Sequence, residues 1–415
     1  MTRPLHLLEV GVRWPPETFV RRKLELLAAA GVRVTVASPL LPGAPRPAVP
    51  GVELLPIHHW RAPRWRKLMD VMVGLFGLLL RHPRRFRRLL STVRGPLAPA
   101  RRSGFWWRVG LLRRYLQLAG LSPDVVQFEW ETAAVEHLPL TEVWDCPVLM
   151  SCRGVAITLY PTTQARDWVD LLPQAFRRVA AVHCVSEATV HEAVAQGLDP
   201  AKARVIRTSV DAAQFRPSEG RARSANELRV VSIATLRWPK GPEYAVQAVA
   251  EARRLGVPAR LELVGPEPVE ELAEPSERER VLYTAADLGL DGAVRVAGQS
   301  DHRDIRARLL AADVLLHCSL LEGIPNVVLE AMACGIPVVV TDCGGVREAV
   351  DDGVEGFVVQ PRDVPAMARA LEHLWRRPEL REAMGAAGRR RATTGFGEAV
   401  QLEGFLSMLG EVVPG

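Results

Sequence analysis

The stretch Ser319-Leu-Leu-Glu-Gly-Ile-Pro-Asn-Val-Val-Leu-Glu330, continued by Ala331-Met-Ala-Cys-Gly-Ile-Pro-Val-Val-Val-Thr-Asp-Cys-Gly-Gly345, decides the fold. It reads as a polar loop, a helix, a buried strand and a glycine turn, preceded by the apolar strand Asp313–His317. Short apolar runs such as Asp313–His317 and Pro337–Thr341 suit a parallel sheet covered on both faces. Pro325 suits the first turn of the helix, where its missing N–H costs nothing. The helix would then open with free amides beside the loop Glu322–Ile324, an anion site at the carboxyl end of a strand. Gly323 and Ile324 lie in that loop. Glu330 sits about 8 Å further along the helix axis, on one face with Asn326. One segment thus offers main-chain donors for phosphate and two carboxylates for hydroxyls, and a phosphorylated sugar is the ligand it suggests.

The whole string resembles the signature of the family-four retaining glycosyltransferases of GT-B fold, P-S-x-x-E-G-x5-L-E-A-M-A-x-G-x-P-V-V-x-T-x-x-G-G-x-x-E. Ser319, Glu322, Gly323, Leu329, Glu330, Ala331, Met332, Ala333, Gly335, Pro337, Thr341, Gly344, Gly345 and Glu348 all fit, and Cys318 replaces the usual proline. The resemblance is to bacterial members of the exopolysaccharide and colanic-acid type. It implies an α/β protein with two Rossmann-like doubly wound domains facing a central cleft.

Other segments carry the same resemblance. Val230-Val-Ser-Ile-Ala-Thr-Leu-Arg-Trp-Pro-Lys-Gly241 is similar to the family's G-R-L-x-x-x-K-G, whose lysine contacts phosphate; Lys240 and Gly241 match it. Thr235 stands where the motif has its arginine, and Arg237, two residues on, is the candidate substitute. Leu263-Val-Gly-Pro-Glu267 resembles the G-x-G turn with Glu267 in place of the second glycine. Gly298 and Gln299 match the strand end where main-chain groups meet the base. In the N-terminal half, Glu17-Thr-Phe-Val20 resembles S-E-T-F-I, and Gly11 takes the position of the loop glycine that admits donor phosphate. Ser151-Cys-Arg-Gly154 aligns with S-x-H-G, with Arg153 for the histidine. Arginine stays protonated, so Arg153 is expected to contact donor sugar or phosphate, or to tie down the strand end, but not to act as a base.

The resemblance implies transfer of a sugar from a nucleotide-diphosphate donor, UDP-, GDP- or ADP-linked, with retention at the anomeric carbon. The acceptor would be a glycan, lipid-linked or small molecule in cell-surface polysaccharide or glycoconjugate synthesis. Glu322 is expected on the transferred sugar, Glu330 on the ribose diol, and Lys240 with Arg237 on the diphosphate. No D-x-D occurs in the chain, so no metal and no cofactor besides the nucleotide sugar are expected. A GT-B-like sugar-nucleotide epimerase and a membrane-associated binding protein without catalysis are the rivals. A nicotinamide dehydrogenase would need G-x-G-x-x-G after a first strand, and neither Gly11 nor Gly265 begins one.

Composition fits a globular protein: 415 residues, 48% hydrophobic, with mean hydropathy +0.04. No charged segment leads into an apolar h-region at the N-terminus, and the longest apolar run, Val71–Leu80, is about half of the ~20 residues that span a bilayer. A cytoplasmic protein, peripheral at the inner face of the plasma membrane, is expected. Six scattered cysteines without C-x2-C pairing read as reduced, buried thiols rather than a zinc site.

Charge is unevenly placed. Arg61 to Arg114 holds fifteen Lys/Arg and one acid, Asp70, against a whole-chain net of +6. Trp60, Trp65, Phe76, Phe86, Phe105, Trp106, Trp107 and Tyr115 interleave with these arginines. Such a segment suits an interfacial helix on anionic lipid. Nucleic-acid binding is disfavoured because the aromatics cluster with long aliphatic runs. An ordinary surface helix pair around a loop at Gly95–Gly104 is the plain alternative.

The order of elements gives three regions: 1–217, a domain of acceptor side carrying the basic segment 60–115; 218–390, the nucleotide-sugar domain; and 391–415, a C-terminal helix packing back on the first domain. Strands are expected at His6–Val10, Val32–Ala37, Asp124–Phe128, Pro147–Ser151, Ala181–Cys184 and Arg204–Arg207. A linker follows at Arg216–Asn226, then strands at Arg229–Ala234, Arg260–Val264, Ala293–Ala297, Asp313–His317, Pro337–Thr341 and Gly356–Val359.

Overall fold

The structure, a computed structural model, describes residues 3–40, 46–58, 62–94, 104–154, 157–159, 166–218, 226–267, 276–300 and 302–413. Trp60, most of the expected loop at Gly95–Gly104 and most of the linker Arg216–Asn226 lie outside these residues. The chain forms two compact units, Met1–Ile206 with Leu402–Gly415, and Arg207–Gln401.

The first unit is built on β1 (His6–Val10), β2 (Arg33–Pro39), β3 (Val52–Ile57), β4 (Val125–Phe128), β5 (Val148–Cys152), β6 (Ala181–Cys184) and β7 (Ala203–Val205). They run parallel in the order β3-β2-β1-β4-β5-β6-β7. The helices are α1 (Thr18–Ala29), α2 (Arg64–Arg81), α3 (Pro83–Arg94), α4 (Phe105–Ala119), α5 (Glu131–Glu136), α6 (Arg166–Arg178) and α7 (Glu187–Ala195). Successive side chains of a strand point to opposite faces. Leu8 and Val10 therefore join one core, with Phe128, Tyr115 and Leu118, while Leu7 joins another with Val20, Leu24, Val34 and Val36.

The second unit contains β8 (Leu228–Ile233), β9 (Ala259–Val264), β10 (Val294–Gly298), β11 (Val314–His317), β12 (Val338–Thr341) and β13 (Gly356–Val359). Its helices are α8 (Pro242–Arg254), α9 (Glu277–Asp287), α10 (His302–Ala311), α11 (Asn326–Ala333), α12 (Val346–Ala349), α13 (Val364–Arg376) and α14 (Pro378–Gly395). The parallel sheet runs β10-β9-β8-β11-β12-β13. α15 (Glu398–Val412) carries the chain back, and its Phe405, Met408 and Leu409 fill the core of the first unit beside Val20 and Leu24.

In each sheet the first strand lies between the second and the fourth, so the connections leave it in opposite directions. The loops after β1 and β4, and those after β8 and β11, therefore part at the carboxyl ends and open a crevice, the usual ligand position in such sheets. At the amino end of β8 and β11 the pairing is pinned by Asp313. Its carboxylate accepts from Arg229 N and Nε at 3.0 Å each, and from Nη2 at 3.1 Å, while its own N–H donates to Arg229 O at 2.7 Å.

Two details depart from the sequence reading. Pro325 precedes α11 as its N-cap instead of occupying the first turn. β3 was not expected: it is a half-buried edge strand containing Glu53 and Pro56, lacking a continuous apolar run, and an edge tolerates proline.

Gly356 lies where β13 meets β12, and a Cβ there would stand 1.9 Å from Val338 O. Gly289, by contrast, has a left-handed φ of 64° and nothing within 4 Å of a would-be Cβ. Gly356→Ala is expected to lower unfolding free energy by about 2–3 kcal/mol, and Gly289→Ala by about 1 kcal/mol. Urea unfolding measures both, and equal losses would contradict this packing.

Candidate active site

The crevice of the second unit is assembled by backbone contacts between three strand-end loops. After β8 the chain reaches the short turn Trp238–Lys240 and Gly241. After β11 it runs through Cys318–Pro325 into α11. Leu320 N donates to Pro239 O at 2.7 Å, joining the two loops. Gly241, at φ 61°, lies so close that a Cβ would be 2.3 Å from Cys318 O. From the other side, Gly345 N donates to Gly323 O at 2.7 Å, and a Cβ on Gly344, at φ 54°, would stand 1.9 Å from Glu322 O. The Thr341 hydroxyl donates to Ser319 O. The loop carrying Glu322 is thus gripped on both flanks, and the glycines are needed for the approach.

Glu322 is the centre of this arrangement. Its Oε1 accepts from Lys240 Nζ at 2.7 Å, from Ser319 Oγ at 2.8 Å, and from His317 Nε2 at 3.0 Å in the tautomer that carries a proton there. The side chain is 10% exposed. Burial pushes its pKa upward, but the Lys240 charge and the His317 hydrogen bond outweigh that and hold it at about 2. The carboxylate is therefore ionised at every ordinary pH.

The remaining candidates from the second unit occupy other loop, strand-end and helix positions. Asn326 opens α11, and its Oδ1 accepts from Thr208 Oγ1 at 2.7 Å. Glu330, one turn further on, is buried at 7% exposure. Ile324 is packed in the core under the loop. Arg237 is exposed at the start of the Trp238–Lys240 turn. Gly298 closes β10 at φ 72°, and its carbonyl accepts from Gly265 N at 2.9 Å; Gln299 beyond it is exposed. A Cβ on Gly265 would stand 1.8 Å from Ala234 O, so the first glycine of the turn is sterically required. Glu267, in place of the second, accepts from Arg278 N at 3.3 Å.

In the first unit, Gly11 and Arg153 sit at the carboxyl ends of β1 and β5. Gly11, at φ 91°, would drive a Cβ to 2.3 Å from Ala133 Cβ in α5. The Arg153 guanidinium pairs with Glu129 and lies 4.9 Å from the Phe19 ring centre and 5.7 Å from that of Trp130. Lys23 of α1, 1% exposed, reaches Glu9 Oε1 at 2.6 Å and also pairs with Glu129. Burial drives the Glu9 pKa up, whereas Arg153 and Lys23 overcome burial and hold that of Glu129 down. Glu131, whose Oε1 accepts from Arg153 N at 3.1 Å, is pushed up to about 7 by burial. His183 is lowered to about 3 by burial and then by Arg153, and the neutral ring bridges Ser151 Oγ at 3.0 Å and Ile206 O at 2.8 Å.

Sequence reading paired Glu322 with Lys240 in function and missed what holds them. His317 read only as the last residue of a strand, though a histidine five residues before a loop glutamate was a usable signal. Lys23, Glu9 and Glu129 were also missed, because nothing local shows that a lysine on an amphipathic helix is buried.

The chain is 33% identical over 220 residues to the D-inositol 3-phosphate glycosyltransferase of Frankia alni, covering 50% of this chain and 53% of that protein. With the protein of the same name in Mycobacterium tuberculosis it shares 33% over 206 residues, 48% of this chain and 42% of that one. The chain thus spans about half the length of the curated relatives it matches. Among solved structures, HepE of Anabaena in complex with UDP-glucose superposes with a TM-score of 0.72 at 16% identity, covering 98% of this chain and all of the other. Sucrose-phosphate synthase of Thermosynechococcus elongatus gives 0.77 at 20% identity, covering 97% and 98%. These two likenesses are of fold. The model of Glycosyltransferase Family 4 matches residues 16–214 and that of Glycosyl transferases group 1 matches residues 217–391. With two parallel sheets of GT-B type and both halves matched, the chain belongs to the family-four, group 1 glycosyltransferases.

Proposed function

We propose that this chain transfers a sugar from a nucleotide-diphosphate donor to a hydroxyl acceptor, with retention at the anomeric carbon and without a metal ion. The observation that carries the reading is the Lys240–Glu322 pair at the crevice between β8 and β11, beside the amino end of α11. Among the described residues, all three donors to Glu322 meet Oε1, which leaves Oε2 for hydroxyls of the transferred sugar. Lys240 and Arg237, with the first amides of α11, meet the diphosphate charge that builds as the leaving group departs. Glu330 grips the ribose diol, Asn326 is held in place by Thr208, and main chain at Gly298 and Gln299 meets the base. Gly323 and Ile324 shape the loop under the sugar.

The acceptor oxygen attacks the anomeric carbon on the face the leaving group vacates. Its proton passes to a phosphate oxygen as the bond between the anomeric carbon and phosphate oxygen breaks. No enzyme nucleophile is needed, and the ionised Glu322 serves as a hydrogen-bond acceptor throughout. Gly11 lets main chain approach a ligand at the first unit's crevice, and Arg153, engaged with Glu129 and two rings, positions the β4 and β5 loops there. HepE holds UDP-glucose in the same fold, which supports a UDP-sugar as the first donor to try. Cell-surface glycan, lipid-linked or inositol phosphate acceptors are the classes to screen.

A thermal-shift panel of UDP-, GDP- and ADP-sugars tests donor use, since a ligand that binds the folded state raises its melting temperature. One nucleotide should stabilise the chain, and released nucleoside diphosphate should appear with a glycosylated acceptor of unchanged anomeric configuration. Free epimerised donor, or no stabilisation by any nucleotide sugar, would sink the proposal.

Glu330→Ala should weaken donor binding about 10- to 100-fold, as expected for a lost charge-assisted hydrogen bond, with a smaller change in kcat. Lys240→Ala should lower kcat about 100- to 1,000-fold. Steady-state kinetics with varied donor separates the two, and the reverse pattern would reject these roles.

The ion pair also sets an acid limb of stability. Glu322 has a folded pKa below its unfolded value of about 4.5, so its contribution is complete above that value and fades as pH falls towards 2. In Glu322→Gln this part of the limb should vanish. Melting temperatures of both proteins between about pH 5 and 2 measure it, and parallel curves would refute the pairing.

A further inference from the structure

α2 carries two apolar faces, of which only one is covered among the described residues. Val71, Leu75 and Leu78 turn inward onto the first unit's core, and Gly74 lets the helix approach Leu116 of α4, whose Cβ would stand 3.0 Å from an added one. The other face presents Trp65 (67% exposed), Met72 (71%), Phe76 (64%) and Leu80 (66%), with Met69, Val73 and Leu79 between them. Spacings of three and four keep these side chains on one side of the helix over about 22 Å. Phe105 and Trp107 at the start of α4 are also exposed, and the two helix starts adjoin, with Arg64 stacked 5.2 Å from the Trp106 ring. A contiguous apolar stripe of this size on a water-soluble surface marks a docking site.

The charge around it identifies the partner. Asp70, the one acid between Arg61 and Arg114, points inward and is paired with Arg113. Arg85 and Arg88 are satisfied by Asp145 and Arg114 by Glu136. Arg66, Arg81, Arg84 and Arg87 are exposed on α2 and α3, with no carboxylate of their own segment to oppose them. An outward stripe of Trp, Met, Phe and Leu flanked by arginines matches the acyl boundary and headgroups of an anionic bilayer. Among the described residues no helix is long and apolar enough to cross a membrane, so the contact would lie in the interface plane.

We propose that the outer face of α2, with the start of α4 and the arginines of α3, docks the chain on an anionic lipid surface. This rests on the surface alone, so it stands or falls separately from sugar transfer. The test is co-sedimentation of the full chain with vesicles of phosphatidylcholine and phosphatidylglycerol, against phosphatidylcholine alone, at low and high salt. Binding should require the anionic lipid and weaken with salt. Met72→Glu with Phe76→Glu should abolish it, and Arg84→Glu with Arg87→Glu should weaken it at least about tenfold, both with unchanged melting temperature. The proposal is overturned if anionic vesicles fail to bind at low salt, or if the variants bind as well as the parent. A dimer without vesicle binding, dissolved by the Met72/Phe76 pair of changes, would assign the face to a second copy. RNA binding without vesicle binding would assign it to nucleic acid, and either outcome rejects the lipid.

Discussion

A carboxylate placed at the end of a buried parallel strand needs a cation, and the strand order of the second sheet supplies one. Because β8 lies beside β11, the loops that follow them diverge around a crevice, and Lys240 on one meets Glu322 on the other. That single contact fixes much else. The Glu322 loop must pass close to Gly241 on one side and Gly344 on the other, which dictates glycine at both. His317 and Ser319 converge on the same oxygen, so the carboxylate keeps its charge despite its burial. A group held ionised, rigid and dry is suited to grip sugar hydroxyls with little reorganisation during reaction.

The first unit solves a related problem with other residues. Here too the crevice lies where β1 and β4 adjoin, and two glutamates at the ends of these strands, Glu9 and Glu129, are fully buried. Lys23 serves both, and Arg153 serves Glu129 while its guanidinium stacks on Phe19 and Trp130. Burial and like charge push Glu9 towards its neutral form, and the two cations favour charge on Glu129. The network joins α1, β1, β4 and β5, so it sets the shape of this strand-end region as well as its charge.

How far these features could be read from sequence depended on how local they are. The six strands of the second sheet were legible because β11, β12 and β13 are short apolar runs and β8, β9 and β10 are apolar runs broken only by single polar residues, and Glu322, Gly323, Asn326 and Glu330 stand in one uninterrupted string. β3 was hidden by Glu53 and Pro56, since an edge strand needs only part of its surface apolar. Lys23 looked like any solvated helix lysine; its partners are supplied by β1 and by a residue more than a hundred positions away. The basic, aromatic character of residues 61–114 was plain from composition. Which side of α2 is buried was not, because both sides are apolar and it is the tertiary packing, of Gly74 against Leu116 and of Val71, Leu75 and Leu78 on the core, that distinguishes them.

The core of the first unit is discontinuous in sequence. Val20, Leu24 and Leu27 from near the start of the chain pack with Phe405, Met408 and Leu409 from α15. During synthesis, the side of the first sheet that carries α1 stays incompletely covered until the ribosome has made everything up to those residues. The second unit, made later, has all of its strands before that point. The half translated first is therefore the half whose interior closes last, and until then it is the part of the nascent chain with the most apolar surface in need of protection.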